Sequence, residues 1–150
     1  LQDFPDECGR QLSLFDAEEH KTEQDVQKNQ ALEDAIFDLH RDSTKRSEYL
    51  TTVHGEKMSS VRMVVGKSSL NYEENKNFAY SIKSYADSVY PGLIKDIYIG
   101  KGNYNQQLST RAMLFEMGCE NIEKSLVLRT TPYLAKVALS HAEAMLKENN

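Results

Sequence analysis

Short apolar runs interrupt a largely polar chain of 150 residues. Residues 35–39, 96–99 and 112–117 each have the length and apolar content typical of a buried strand. The stretch YLTTV-HGEK-MSSVRMVVG predicts two strands joined by a glycine-containing turn, the second and stronger one over 61–65. The first thirty or so residues are polar, and only a thin apolar stripe over 22–34 predicts a helix there.

Two later stretches follow the three-to-four spacing of an amphipathic helix. The first has Asn71 as its predicted N-cap and ends before Pro91 and Gly92. Its apolar face is expected to be buried through Phe78, Ile82, Tyr85, Ala86 and Val89. The second is predicted over 132–147, with Leu134, Val137, Ala138, Met145 and Leu146 buried. Because strands alternate with helices, the fold class is predicted to be α/β, with a twisted, mixed or mostly parallel sheet flanked by helices.

The composition and charge of the chain argue against some classes of function. The chain has the size of one domain and is 39% hydrophobic and 27% charged, as in a globular protein. A net charge of -5 and the lack of a Lys/Arg stripe argue against nucleic acid as a partner. No apolar run is long enough to span a bilayer. Cys8 and Cys119 lack the spacing of a zinc site, and we expect unpaired thiols.

His40 is the first candidate for chemistry. It follows the apolar run 35–39, where a strand is expected to end and a loop to begin. In open α/β sheets ligands bind beyond such strand ends, so His40 is placed to bind a metal or act as a general base. Asp38 or Asp42 would orient its ring. The alternative is a solvated loop histidine among charged neighbours.

Glu116 is the second candidate, because Met113, Leu114, Phe115 and Met117 surround it with apolar bulk. A carboxylate in such a strand is costly unless it is paired or binds a metal, and burial raises its pKa. A raised pKa suits a group that takes a proton from an attacking water and passes it to a leaving amine. The alternative is an ion pair with one of three arginines, Arg62, Arg111 or Arg129.

Five short motifs occur in order along the chain: DLHRD, VVG followed by NYEEN, YPGL, YNQQLS and MLFEMG. With them, residues 29–146 closely resemble the C-terminal part of the stage II sporulation protein P family, zinc-dependent N-acetylmuramoyl-L-alanine amidases of endospore-forming Firmicutes. The resemblance implies the cell-wall amidase fold. It divides the chain into a poorly matched segment, 1–27, and a C-terminal part of the catalytic domain, 28–150.

The resemblance also implies roles for individual residues. His40 in DLHRD matches the later of two zinc-binding histidines, and Glu116 in MLFEMG matches the catalytic glutamate. Asn105 and Gln106 in YNQQLS match a loop expected to contact the peptide or glycan. Two neighbours of the metal ligand, Arg41 and Asp42, are expected to orient it. The implied cofactor is zinc, and the implied partners are peptidoglycan and other wall-remodelling proteins of sporulation.

One part of the family pattern is missing. The family has an earlier His-x-His-x-x-Glu type motif that supplies the first zinc histidine and the zinc glutamate, and this chain has none. We expect the chain to be a fragment that begins after that motif, since it starts with Leu1. The alternative is a metal-free, inactive module that binds the wall or a partner. A third reading is a plain α/β domain in which His40 and Glu116 are only structural.

The resemblance further implies a setting. The intact enzyme would cleave the amide between N-acetylmuramic acid and L-alanine at the septal wall during engulfment. It would act outside the cytoplasm, between the forespore and mother-cell membranes, held by a membrane tether that lies outside this chain.

Overall fold

A computed structural model describes residues 35–148, apart from a few side chains near the end of the last helix. The predicted helix over 22–34 and the predicted boundary at residues 27 and 28 lie outside these residues. Six strands, two helices and two short 3-10 turns follow one another: β1 (Ile36–Asp42), the turn Arg46–Glu48, β2 (Leu50–Val53), β3 (Glu56–Ser59), β4 (Val61–Gly66), α1 (Tyr72–Val89), β5 (Ile94–Gly100), the turn Gln106–Leu108, β6 (Ala112–Cys119) and α2 (Lys124–Glu148).

Four of the strands form one mixed sheet in the order β1-β6-β4-β5. β1 and β6 are parallel, β4 and β5 are parallel, and β6 and β4 are antiparallel where the two pairs meet. The α/β fold with a mixed sheet and flanking helices is therefore confirmed. In the described residues, neither helix combines the length and apolar character needed to cross a membrane.

The stretch predicted as one hairpin forms three strands. β2 and β3 make a separate antiparallel ribbon, closed by His54 and Gly55 with φ values of 49° and 80°. Two consecutive residues of positive φ are typical of the tightest hairpin turns. Ser60 then donates its backbone N–H to the Tyr49 carbonyl, 2.7 Å away. This contact ends the ribbon, so that the chain enters the main sheet at Val61 as the predicted strong strand.

The first helix agrees with its prediction, and the second is longer than predicted. α1 buries Phe78, Ile82 and Ala86, whereas Tyr85 is exposed. α2 begins at Lys124 and carries Pro132 in its interior, where a proline removes one helical hydrogen bond. Packing explains this early start: the Thr130 side chain is buried and its hydroxyl donates to the Ser59 carbonyl of β3.

The two described helices pack against the same face of the sheet. Side chains alternate along a strand, so every second residue of β4 and β6 faces them. Residues of these strands pack with both helices in one core, which includes Met63, Val65, Phe78, Ile82, Phe115, Met117, Leu134 and Val137. The other face of the same strands carries the intervening residues, and among them are the candidate residues for chemistry.

Gly118 ends the regular part of β6 and gives a first prediction. Its φ is 89°, and a Cβ there would lie 2.6 Å from the Ser59 Oγ and 2.9 Å from Ile122. Gly55 has a similar φ of 80° but open space around it. We expect Gly118→Ala to lower the free energy of unfolding by about 1–3 kcal/mol more than Gly55→Ala, because only the first adds overpacking to the backbone cost. Urea unfolding of both variants measures this, and equal losses would contradict the described packing.

Candidate active site on the polar face of the sheet

One side chain from each strand of the main sheet forms a row, which we call the polar row: His40, Glu116, Arg62 and Asp96. The strand register sets this order, because His40 pairs with Glu116, Glu116 with Arg62, and Arg62 with Asp96. Neighbouring strands lie about 4.8 Å apart, so the paired side chains on this face are nearest neighbours. The structure therefore places the side chains of His40 and Glu116 next to each other.

The place of His40 differs from the expectation in one respect. β1 extends to Asp42, so His40 lies within the strand and not in a loop beyond it. The contact shown for its ring is with Asp38, two residues earlier on the same face, whose carboxylate oxygen lies 2.9 Å from Nε2. A carboxylate behind an imidazole fixes the ring and its tautomer, as it does for many metal-binding histidines. In this arrangement Nδ1 is the nitrogen left for a ligand.

Glu116 carries the unusual feature of the row. Its Oε2 is buried and accepts no hydrogen bond among the described residues. Burial raises the pKa of the Glu116 carboxyl, and the negative charge of Asp42 raises it further, whereas His40 and Arg62 oppose the shift. A buried polar atom without a partner is uncommon in proteins and calls for an explanation such as catalysis or an absent ligand. These effects favour the protonated form of the Glu116 carboxyl.

Arg62 lies beside Glu116 but its hydrogen bonds go elsewhere. Its Nε and Nη2 donate to the two oxygens of Asp96, both at 2.8 Å, and its Nη1 to Asp42 at 3.4 Å. The hydrogen bonds to Asp96 raise the pKa of the Arg62 guanidinium and lower that of Asp96. Asp42 in turn accepts a bond of 2.8 Å from the Tyr49 hydroxyl. The predicted alternative of an ion pair between Glu116 and Arg62 is therefore not what the structure shows.

Arg41 and Asp42 were expected to orient His40, but their hydrogen bonds are with other residues. Arg41 donates to the Ile122 carbonyl at 2.8 Å and to the Cys119 carbonyl, so it fastens β1 to the loop after β6. Asp42 accepts from Arg62 and Tyr49, as above, and acts on Glu116 through its charge. The orienting contact that the structure describes comes from Asp38.

The two residues predicted to contact substrate have different environments. Asn105 is exposed and has a φ of 59°, and it lines a cavity of about 300 Å³ that also includes Asp38. Gln106 is 1% exposed. Its amide accepts from the Gly66 N–H at 2.8 Å and donates to the Val64 carbonyl at 2.7 Å, so it holds the loop against β4. Their contact with substrate stays a prediction, which the geometry favours for Asn105.

Sequence reasoning named Arg62 only as an alternative ion-pair partner of Glu116, and it did not find Asp96 or Tyr49. A signal was present for Arg62 and Asp96, since each is a charged residue inside an apolar strand, as Glu116 is. Tyr49 gave none, because a tyrosine before a strand is ordinary. Its role depends on the folding of the chain after β1, which brings its hydroxyl to 2.8 Å from Asp42.

Among the described residues, His40 is the candidate metal ligand. His40, backed by Asp38, has the arrangement of a metal ligand, and Glu116 stands beside it with an unpaired oxygen. Among these residues, however, no group of three His, Cys, Asp or Glu side chains could hold a metal ion. Catalytic zinc normally has three protein ligands and a water. Any zinc bound near His40 needs further ligands from outside the described residues.

The raised pKa of Glu116 predicts a pH effect on stability. A carboxyl with a raised folded-state pKa binds its proton more tightly in the folded chain, so its contribution is complete below the unfolded-state pKa and is lost as pH rises through the folded-state value. We expect Glu116→Gln to be more stable than the wild type at neutral pH and equal to it at low pH. Urea unfolding from pH 4 to 8 tests this in the zinc-free chain. Exposed Glu120→Gln is the control, and parallel pH profiles for Glu116→Gln and the wild type would contradict the description.

The burial of Gln106 predicts a structural effect. Gln106→Ala leaves a buried N–H and a buried carbonyl of β4 without partners, and we expect a loss of about 2–4 kcal/mol in the free energy of unfolding. The adjacent and exposed Gln107→Ala is the matched control, expected within about 0.5 kcal/mol of the wild type. Similar losses for the two variants in urea unfolding would show that the amide does not hold the loop.

Comparison with known proteins gives the family. Residues 15–138 match the family Stage II sporulation protein P (SpoIIP). Stage II sporulation protein P of Bacillus subtilis (strain 168) is 38% identical over 88 residues, which cover 55% of this chain and 22% of that protein. The matched segment thus spans less than a quarter of that relative's length. No solved structure matches it. The family match covers most of the chain, and the chain belongs to the Stage II sporulation protein P family, a family of sporulation proteins.

Proposed function

We propose that this chain is the C-terminal part of a zinc-dependent N-acetylmuramoyl-L-alanine amidase that acts on peptidoglycan during sporulation. The observation that carries the proposal is the pairing of His40 with Glu116 across two parallel strands, with a buried carboxylate oxygen left unpaired between His40 and Arg62. Family membership supports the sporulation role, and the resemblance supports the reaction. The geometry supports a site that can bind a ligand and move a proton.

Glu116 would carry the proton in this reaction. Water attacks the carbonyl carbon of the amide while the carboxylate accepts a proton from that water. The same carboxyl then donates the proton to the amine nitrogen as the carbon–nitrogen bond breaks, which leaves a carboxylic acid and a free amine. Its raised pKa favours both steps, because a carboxyl that holds its proton nearer to neutral pH is a better acid and a better base there.

His40 would be one of the zinc ligands. Asp38 holds the ring through Nε2, which leaves Nδ1 for the ion. Zinc, when bound, would supply a Lewis acid for the carbonyl and a more acidic water. The remaining ligands would come from outside the described residues, in agreement with the fraction of the relative that this chain covers.

The charges around Glu116 would keep it in place for this role. Arg62 is held by Asp96 and Asp42, so its positive charge stays near Glu116 without forming the ion pair that would lower the carboxyl pKa strongly. The buried Tyr49 fixes Asp42 from the other side. This set would position the carboxyl and does not itself contact the reacting atoms.

The implied setting is part of the proposal. Peptidoglycan would be the substrate, other wall-remodelling proteins of sporulation would be partners, and a membrane tether outside this chain would hold the enzyme between the forespore and mother-cell membranes.

A second function is favoured by one specific observation. His40 is the one histidine of the polar row, and the described residues contain no group of three side chains that could hold a metal ion. A module that binds the wall or a partner without zinc would need no more than that. Zinc content separates the two functions.

We expect the full-length protein to bind one zinc per chain, which His40→Ala loses and Glu116→Gln keeps. Both variants should hydrolyse the amide more slowly, Glu116→Gln by about 10²–10⁴-fold, because it loses the proton carrier. Metal analysis after dialysis and release of free alanine amine from purified peptidoglycan give the two readouts. The control is His54→Ala, on the β2–β3 turn, which should change neither. A folded full-length protein without zinc would favour the binding module.

A further inference from the structure

A half-exposed aromatic ring extends the polar row at its β5 end. Tyr98 lies two residues after Asp96 on β5, so the two side chains share a face of the sheet. Tyr98 is 52% exposed. A large aromatic ring stabilises a protein most when it is buried. A ring that is exposed to solvent beside a row of charged groups is therefore a candidate contact for a ligand.

Arg62 links this ring to the candidate active site. Its guanidinium carbon lies 5.7 Å from the centre of the Tyr98 ring, within the range of a cation–π contact. The same guanidinium donates to both oxygens of Asp96. Three groups are therefore fixed against one another: a flat apolar ring, a planar donor and a carboxylate acceptor. Such a set needs little reordering when a ligand binds.

We propose that Tyr98, Arg62 and Asp96 form a sugar-binding subsite, with one sugar ring of the glycan strand lying on the tyrosine. The inference rests on the proposed function, since that reaction places the muramic acid of the same strand at Glu116. A sugar ring presents C–H bonds on its face and hydroxyls around its rim. The C–H bonds suit the negative face of an aromatic ring, and the hydroxyls suit the donors of Arg62 and the acceptors of Asp96.

Charge favours a neutral sugar over the stem peptide at this position. Four carboxyl groups lie in or beside the row: Asp38, Asp42, Asp96 and Glu116. The positive charges that act on the β5 end are Arg62, which Asp96 and Asp42 already engage, and two lysines near Asp96, Lys95 and Lys83. A peptide carboxylate would meet more negative than positive charge here, whereas an uncharged polyol meets no such repulsion.

The spacing agrees with a strand that runs across the sheet. Two strand spacings separate Glu116 on β6 from Asp96 on β5, about 10 Å in total. This is comparable with the length of a disaccharide. A glycan crossing β6, β4 and β5 would place its muramic acid near Glu116 and a neighbouring sugar on Tyr98.

A peptide-free glycan tests this subsite. The probe is a β-1,4-linked tetramer of N-acetylglucosamine, titrated into the 150-residue chain and followed by NMR. We expect Tyr98→Ala to weaken binding about fivefold to tenfold and Tyr98→Phe to keep it within about twofold, because the ring carries the contact. Tyr80→Ala is the matched control, since Tyr80 is 55% exposed on α1, which packs against the other face of the sheet.

Unchanged binding of the tetramer by Tyr98→Ala would overturn the inference, and so would an equal loss in Tyr80→Ala. Binding of a free stem peptide at Tyr98, with no binding of the tetramer, would overturn it as well. The tetramer contains no muramic acid–alanine amide, so its binding does not depend on hydrolysis. Amide cleavage by the full-length protein without tetramer binding would refute the subsite alone. Tetramer binding through Tyr98 without amide cleavage would support the subsite and refute the proposed reaction.

Discussion

The register between β1 and β6 is the constraint on which the site depends. Because His40 pairs with Glu116 in parallel strands, and Glu116 pairs with Arg62 across the antiparallel boundary, three strands place their functional side chains side by side. A shift of one residue in either pairing would turn a polar side chain into the core and a core side chain to the polar face. The apolar residues that alternate with the row, such as Met63 and Phe115, fix the register because they are buried under the helices. Core packing and site geometry are thus set together.

Within that register, the distribution of hydrogen bonds decides which group is left for chemistry. The guanidinium of Arg62 engages Asp96 and Asp42, and His40 engages Asp38, so Glu116 alone has a buried oxygen without a partner among the described residues. Pairing Glu116 with Arg62 would stabilise its charge and lower its pKa. The structure instead leaves the carboxyl desolvated, with its pKa raised. A buried carboxyl without a hydrogen-bond partner lowers the stability of the fold, and a role in function explains why the structure keeps it.

The sequence predicted the elements better than their edges. Apolar runs and helical spacing identified the main-sheet strands and both helices, because those patterns follow from burial on one face. The early start of α2 was not predictable from local signals, since a proline and two threonines argue against a helix that packing against β3 stabilises. Glu116 was found because a charge inside an apolar run is costly, and His40 because it follows an apolar run at a predicted strand end. The partners of Arg62 were not found, because they depend on which strands become neighbours. Asp38 was one of two options, and only the structure distinguishes it from Asp42.

The central claim is that His40 and Glu116 work as one unit, and a double-mutant cycle on the full-length protein tests it most directly. The measured quantity is the rate at which free alanine amine is released from purified peptidoglycan by the wild type, His40→Ala, Glu116→Gln and the double variant. Residues that serve one reaction step are strongly non-additive. We therefore predict that the double variant is about as slow as the slower single variant. Losses that multiply, or a single variant that keeps the wild-type rate, would contradict a shared site.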